Sequence, residues 1–421
     1  MTDTHQLPDD LIADMTAKAR SAARILAQAD DATKAAALVA AAAALRRDAD
    51  IILAANAQDM EAGAKAGLSA AMLDRLKLDQ KRISAVADAV DQVAVLEDPV
   101  GQLIDSRTQP NGLVMRRVRI PVGVLGIIYE SRPNVTADAA ALGLRAGNAV
   151  LLRGGSEAVH SNRAIHKAMV SGIVTAGLPA DAVQLVPTQD RAAVGAMLRA
   201  QGAIDMIIPR GGKSLVARVQ DEARVPVLAH LDGINHSYVH KDADPAMATA
   251  IIVNAKMRRT GVCGATETLL IHQDYPASAE LISALLETGC EVRADDALME
   301  LDPRTVSADD ADWDTEYLDS VISARLVAGL DDAMDHIARH GSHHTDAIIT
   351  RDDQVAARFL AEVDSAIVMH NASTQYADGG EFGLGAEIGI ATGRLHARGP
   401  VALEGLTTYK WLVHGQGQTR P

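Results

Sequence analysis

The sequence is poor in the features that nucleic-acid-binding, membrane-spanning and disulfide-stabilised proteins need. Aromatic residues make up 2% of the 421 residues and the formal net charge is −15, so base-stacking platforms and a basic surface are both missing. No uncharged run approaches the ~18 apolar residues of a membrane span, and the polar N-terminus MTDTHQLPDD lacks the regions of a signal peptide. The two cysteines have no CxxC spacing. We therefore expect a cytoplasmic protein without nucleic-acid or membrane partners.

The length and the order of the sequence patterns predict a multidomain α/β protein. A chain of 421 residues exceeds the size at which one hydrophobic core keeps growing. Residues 9–97 are rich in alanine, with apolar residues three and four apart, which predicts helices; Pro110-Asn111-Gly112 predicts a hairpin over 106–119. Strands and helices then alternate, which predicts a doubly wound parallel sheet and a second α/β unit from about residue 230. The strands expected in the first sheet are 122–128, 149–152, 183–186, 206–208 and 225–228.

Two glycine pairs are candidates for binding nucleotide phosphate, although the sequence has neither a GxGxxG fingerprint nor a Walker A loop. Each pair follows an expected strand, opens an expected helix and is flanked by a cation. Glycine lets an anion approach the backbone, and a helix N-terminus presents N–H groups to it. Two ordinary strand-to-helix turns are the alternative interpretation. The segments are Arg153-Gly154-Gly155-Ser156, with Ser156 expected as a helix N-cap, and Arg210-Gly211-Gly212-Lys213-Ser214.

Cys263 is the candidate nucleophile. It lies between glycines and follows Lys256, Arg258 and Arg259, and cations near a thiol lower its pKa and raise the thiolate fraction. A buried, inert cysteine is the alternative. Cys290, in a helix-to-strand loop, is expected to be structural.

Asn134 is a candidate oxyanion donor. It follows the apolar strand 122–128, at the edge of the sheet where ligands bind, and a side-chain amide there can stabilise developing negative charge. The alternative is an ordinary turn asparagine after proline.

Seven of the 14 histidines fall into two groups, and neither group has the spacing of a known zinc site or a cysteine expected to join it. We therefore expect hydrogen-bonded or solvated histidines and no metal. The groups are His230, His236 and His240, and His336, His340, His343 and His344.

Taken together in this order, long motifs of the chain resemble the aldehyde dehydrogenase superfamily and, within it, the gamma-glutamyl phosphate reductases. The motifs span roughly residues 120–411. They are ESRPNVT at 130–136, GNAVLLRGGSEA at 147–158, PRGGKSL at 209–215, HLDG at 230–233, GVCGATETLL at 261–270, HTDAIIT at 344–350, EFGLGAEIGIATGRLHARGP at 381–400 and GLTTYKW at 405–411.

The resemblance implies roles for individual residues. Cys263 would be the nucleophile, and Asn134 with the Cys263 backbone N–H would form the oxyanion hole. NADP(H) would be bound by Arg153, Gly154, Gly155 and Ser156, by Gly211, Gly212, Lys213 and Ser214, and by Glu316 at the nicotinamide ribose. The segment around Glu316 lacks the proline of most relatives, and Thr260 stands where proline is expected. Substrate phosphate or carboxylate would be bound by Arg132, Arg258, Arg394 and Arg398.

The resemblance also implies a domain organisation. The NADP-binding domain would comprise 1–105 and 119–229, the catalytic domain 230–395, and an oligomerisation element 106–118 and 396–421. We therefore expect a homo-oligomer, with a possible association with glutamate 5-kinase.

The implied activity is the NADPH-dependent reduction of L-glutamyl 5-phosphate to L-glutamate 5-semialdehyde through a Cys263 thioester, the second step of proline biosynthesis from glutamate. His230-Leu-Asp-Gly replaces the segment that carries the water-activating glutamate in hydrolytic relatives. A hydrolytic aldehyde dehydrogenase and, more remotely, a non-enzymatic nucleotide-binding module are the alternatives.

Overall fold

The computed structural model describes residues 7–420, which fall into two compact units. The first unit comprises the chain up to Ala229, Leu384–Gly389 and the segment from Val401 onward, and the second comprises His230–Gly383 and Ile390–Pro400. Among the described residues, no helix is both long enough and apolar enough to span a membrane.

Helices and strands alternate along most of the described chain. The α-helices are α1 Pro8–Leu26, α2 Asp31–Arg47, α3 Ala49–Lys65, α4 Ala70–Leu76, α5 Gln80–Ala94, α6 Val135–Arg145, α7 Val159–Thr175, α8 Arg191–Arg199, α9 Lys213–Glu222, α10 Pro245–Met257, α11 Ser278–Glu287, α12 Asp296–Met299, α13 Leu330–His340 and α14 Asp353–Glu362. The strands are β1 Leu103–Thr108, β2 Val114–Pro121, β3 Val124–Tyr129, β4 Ala149–Gly154, β5 Val183–Leu185, β6 Met206–Arg210, β7 Asn235–Val239, β8 Thr266–His272, β9 Glu291–Ala294, β10 Val306–Ser307, β11 Val321–Val327, β12 Thr345–Ile349, β13 Ile367–His370, β14 Ile390–Ala391, β15 Gly399–Pro400 and β16 Thr407–His414.

The first unit contains a four-stranded parallel sheet in the order β5-β4-β3-β6. Every residue of β3 and β4 is buried, as expected for apolar strands covered on both faces. The predicted N-terminal helices are present as α1–α5. The predicted hairpin is confirmed as β1 and β2, which form an antiparallel sheet with β16.

The strand predicted over 225–228 is wrong. Only Val227 pairs, through an isolated bridge to Ile207. Two backbone hydrogen bonds join this segment to β6, from Ile207 N to Pro226 O and from Leu228 N to Ile207 O. Pro226 has no N–H, so the ladder cannot extend in the way the apolar pattern suggests.

Ser156 is not the N-cap of the next helix, contrary to expectation. A 3₁₀ turn covers Ser156–Ala158, and α7 begins at Val159. The first turn of α7 is capped from a distance, because the Asp59 carboxylate of α3 accepts the N–H groups of His160 (3.1 Å) and Ser161 (2.7 Å). A carboxylate satisfies these orphan donors as an N-cap side chain would.

The second unit is built on a seven-stranded parallel sheet in the order β10-β9-β11-β8-β7-β12-β13. Apolar residues of β7, β8, β9 and β11 pack with α10 and α11 in one core cluster. The α/β class and the parallel sheets predicted from the alternating pattern are therefore confirmed.

Candidate active site

Cys263 lies half-buried in the loop between α10 and β8, against an apolar cluster of the second unit. The segment 233–235 fixes its backbone. Asn235 is fully buried and donates its side-chain amide to the carbonyl oxygens of Cys263 (2.6 Å) and Ala265 (2.8 Å), while accepting the Thr345 N–H (3.1 Å). A Cβ built on Gly233 would lie 2.2 Å from the Cys263 carbonyl oxygen, so only glycine fits there. No local motif in the sequence indicates this clamp.

Two histidines lie beside Cys263. One ring nitrogen of His230, one of His344 and the Cys263 sulfur all lie within 4.8 Å of one another. The expectation that no cysteine joins the histidine groups is therefore wrong. Burial, together with a smaller effect of the charge of His230, lowers the pKa of His344 to about 3, so this ring is neutral near pH 7. His230 and His344 come from different predicted groups, and only the fold brings them together.

Lys256 pairs with a buried carboxylate. It is fully buried, and its Nζ lies 2.5 Å from an oxygen of the buried Glu267 carboxylate and 5.8 Å above the Tyr317 ring. Its charge is thus compensated by a partner of its own. Cys290 is packed in the core, and burial raises its thiol pKa to about 11, as suits an inert cysteine.

Glu316 is connected to the Cys263 loop. Its carboxylate accepts the Gly233 N–H at 2.9 Å. The residue expected at the nicotinamide ribose is therefore hydrogen-bonded to the same segment, 233–235, that fixes the Cys263 backbone.

Asn134 stands at the N-terminus of α6 and is oriented by a carboxylate. Its side-chain amide donates to Asp138 at 2.8 Å, an i to i+4 pair on the same helix. Burial raises the pKa of Asp138 to about 6, against the opposing effects of the Asn134 hydrogen bond and the Arg210 charge. One amide N–H is therefore fixed by Asp138, and the second is the candidate oxyanion donor. Asp138 was not singled out from the sequence.

The glycine turns of the first unit both contact glutamates. Glu130 accepts the Gly212 N–H at 3.0 Å, at the start of α9, and a Cβ on Gly211 would lie 2.5 Å from the same carboxylate. A Cβ on Gly155 would lie 2.3 Å from Glu157. At both turns the glycines let a carboxylate lie close to the backbone, the kind of approach that a nucleotide phosphate would need.

Arg153 is buried at the end of β4 and donates to the carbonyl oxygens of Gly154 and Gln189, both at 3.1 Å. Its buried Nε has no hydrogen-bond partner among residues 7–420. Burial lowers its pKa; Glu157 opposes this effect, and the charges of Arg191 and Arg218 lower the pKa further. Three arginines therefore concentrate positive charge here, and the last two were missed in the sequence.

The other predicted contacts are dispersed. Ser156, Lys213 and Ser214 are exposed beside their turns. Arg132 is exposed just before α6, and Arg258 is exposed just after α10. Arg394 and Arg398 lie together because both pair with Asp364; the Arg398 contact is 2.7 Å. Their roles toward a substrate remain predictions.

Comparisons with known proteins identify the family. The Aldehyde dehydrogenase family profile matches residues 1–305. A gamma-glutamyl phosphate reductase of Novosphingobium aromaticivorans is 70% identical over 98% of this chain and 97% of its own, and one of Sphingopyxis alaskensis is 70% identical over 98% and 96%. The crystal structure of gamma-glutamyl phosphate reductase from Thermotoga maritima superposes with a TM-score of 0.95, at 41% identity, covering 98% of this chain and 100% of that one. The chain belongs to the gamma-glutamyl phosphate reductase family.

Family membership makes the chain an oxidoreductase of the aldehyde dehydrogenase type, which uses a nicotinamide cofactor. The resemblance inferred from the motifs is thus confirmed. An acetylating aldehyde dehydrogenase of Geobacillus thermoglucosidasius shares the fold at a TM-score of 0.71 and 16% identity, covering 100% of both chains. The specific residue roles are not tested by these similarities and remain predictions.

Proposed function

We propose that the chain reduces L-glutamyl 5-phosphate to L-glutamate 5-semialdehyde and phosphate with NADPH, the second step of proline biosynthesis from glutamate. The observation that carries the proposal is a half-buried, backbone-clamped Cys263 in a chain 70% identical to reductases of that name. The substrate is accordingly a small molecule carrying an activated acyl group.

The chemistry proposed for Cys263 is acyl transfer. The thiolate attacks the γ-carbonyl carbon, the bond from that carbon to the phosphate oxygen breaks, and phosphate leaves with the electron pair, so that a thioester forms. When bound, the nicotinamide supplies the hydride that reduces this thioester. The carbon–sulfur bond then breaks, which releases the aldehyde and restores the Cys263 thiolate.

Asn134 is proposed as the donor that stabilises the oxyanion formed in both carbonyl additions. Asp138 is proposed to hold its amide in one orientation, through the 2.8 Å hydrogen bond. Removing one oxyanion donor typically costs ~10²–10³ in rate.

We propose that the acyl group on Cys263 reacts with phosphate or with hydride and not with water. His230 stands where hydrolytic relatives carry a glutamate that activates water, and its Nδ1 lies 2.7 Å from the Ile390 carbonyl oxygen. Because His230 replaces that carboxylate base, no glutamate at this position activates water to hydrolyse the acyl group.

The cofactor proposed is NADP(H). The buried, unpartnered Arg153 Nε and the charges of Arg191 and Arg218 suit the 2′-phosphate that distinguishes NADP from NAD. Gly154, Gly155, Gly211 and Gly212 would admit the nucleotide phosphates, with Ser156, Lys213 and Ser214 beside them. Glu316 would hold the nicotinamide ribose.

Substrate binding and assembly complete the proposal. Arg132, Arg258, Arg394 and Arg398 are proposed to bind the substrate phosphate or α-carboxylate. The β1-β2-β16 sheet, which exposes Trp411, is proposed to join subunits of a homo-oligomer. Association with glutamate 5-kinase is proposed because the two enzymes would share L-glutamyl 5-phosphate as an intermediate.

Replacing the thiol tests the proposal. Cys263→Ala is expected to abolish phosphate-dependent turnover while NADPH still binds, as measured by nucleotide fluorescence. Cys290→Ala is the matched control, since that thiol lies in the core, and it is expected to keep its activity. Turnover retained in Cys263→Ala would overturn the assignment.

A further inference from the structure

His230, Cys263 and His344 offer a set of ligand atoms that the reductase chemistry does not use as a set. We propose that these three residues form a Zn²⁺ site and that the bound ion reversibly silences the nucleophile. The sulfur and one nitrogen of each ring lie within 4.8 Å of one another. A thiolate with two imidazoles is a donor set that zinc favours.

The hydrogen bond of His230 prepares its ring for a metal. Its Nδ1 lies 2.7 Å from the Ile390 carbonyl oxygen. A carbonyl oxygen only accepts, so Nδ1 carries the proton and Nε2 holds the lone pair in the neutral ring. Metal-binding histidines are typically fixed in this way, with the second ring nitrogen donating to a carbonyl or carboxylate.

His344 provides an independent observation. The ring is fully buried, its Nδ1 lies 2.9 Å from the Thr345 hydroxyl, and its Nε2 has no hydrogen-bond partner within the described part of the chain. Buried polar atoms in native proteins nearly always have a partner, so an orphan nitrogen on a ring that offers a ligand atom to this cluster points to a missing ligand.

The geometry requires only a small adjustment. Tetrahedral zinc with bonds of about 2.0–2.3 Å places its ligand atoms roughly 3.3–3.6 Å apart. Given the 4.8 Å limit, no pair has to close by more than about 1.5 Å. On binding, the Cys263 thiol releases its proton to solvent and the sulfur forms the bond to zinc, with no change in oxidation state. Three protein ligands leave a fourth position for water.

The consequence for activity rests on the proposed function of Cys263 as the nucleophile. A zinc-bound sulfur has its lone pair engaged and is covered by the ion, so it cannot attack an acyl phosphate. Zinc is therefore expected to inhibit reversibly, and a chelator is expected to restore turnover.

The test uses the chelator-stripped full-length enzyme and two metals. Cobalt(II) is expected to give a thiolate-to-metal charge-transfer band, and calorimetry with zinc is expected to show one site per chain. Cys263→Ala is expected to lose the band. His344→Gln and His230→Gln are expected to weaken zinc by at least the ~10-fold that even outer-shell changes cost. His160→Gln, which changes an exposed histidine on α7, is the matched control and should bind normally.

Thermal unfolding of each variant identifies any that fails to fold, and His230, which is less buried than His344, gives a second ligand variant in that event. Zinc affinity that is the same in all variants, or cobalt bound without a thiolate band, would overturn the site. Zinc bound at this site with turnover unchanged would overturn the silencing. Activity in Cys263→Ala would refute the proposed function separately, because the cobalt band reports on metal binding alone.

Discussion

Replacing Asn235 by alanine tests the clamp on the Cys263 loop most sharply. The side chain is fully buried and pairs with three backbone groups, the carbonyls of Cys263 and Ala265 and the N–H of Thr345. Alanine removes the side-chain partner of all three. Each orphaned buried group costs about 1–3 kcal/mol, so we expect a loss of roughly 3–5 kcal/mol in the free energy of unfolding after partial relaxation.

The loss of the clamp should also lower the catalytic rate. An unclamped Cys263 carbonyl lets the loop move, and a misplacement of about 1 Å at a reacting group can cost ~10² in rate. We therefore expect kcat to fall by about 10² while the Kd for NADPH stays unchanged.

Differential scanning calorimetry and steady-state kinetics would measure the two effects. A loss of this size should lower Tm by at least about 5 °C. Asn254→Ala changes an exposed asparagine on α10 and serves as the control, with an expected change within about 0.5 kcal/mol. Asn235→Ala with the Tm and kcat of the unmodified enzyme would refute the clamp.

Further predictions concern Gly233, Asp138 and Arg153. Gly233→Ala places a Cβ 2.2 Å from the Cys263 carbonyl oxygen, so kcat should fall by about 10²; a normal kcat would contradict the close packing. Asp138, whose pKa burial raises to about 6, loses its charge as pH falls through that value, so kcat/KM should fall on the acidic side with an apparent pKa near 6, and Asp138→Asn should remove that limb. Because this carboxyl ionises in the unfolded chain at its ordinary, lower pKa, its contribution to stability is full below that value and is lost as pH rises toward about 6; chemical denaturation of Asp138→Asn should lack this pH dependence. Arg153→Ser should weaken NADPH binding by about 10-fold and leave NADH binding unchanged, and equal losses for both nucleotides would argue against 2′-phosphate recognition.

The sequence was sufficient for most of the fold because its signals are local. Apolar runs bounded by glycine and proline predicted the buried strands β3 and β4, and the Pro110-Asn111-Gly112 turn predicted the hairpin. The errors occur where the local structure depends on a residue that is distant in the sequence. The start of α7 depends on Asp59, which is far away in the sequence, and no local pattern around Ser156 reveals it.

The candidate site divides in the same way. Cys263 and Asn134 could be selected from residue type and position alone, whereas the clamp by Asn235 depends on how β7, β8 and β12 lie side by side. The parallel pairing of β7 with β12 likewise places the segments that carry His230 and His344 next to each other. Lys256 was selected for its closeness to Cys263 in the sequence, whereas its ion pair with Glu267 is seen only in the fold.

The most direct test of the central claim is the rate of NADP reduction by L-glutamate 5-semialdehyde with and without inorganic phosphate. If the acyl group on Cys263 is released to phosphate, turnover should depend on phosphate and should produce the acyl phosphate. Rapid turnover without phosphate, with glutamate as the product, would contradict the account and indicate a hydrolytic aldehyde dehydrogenase.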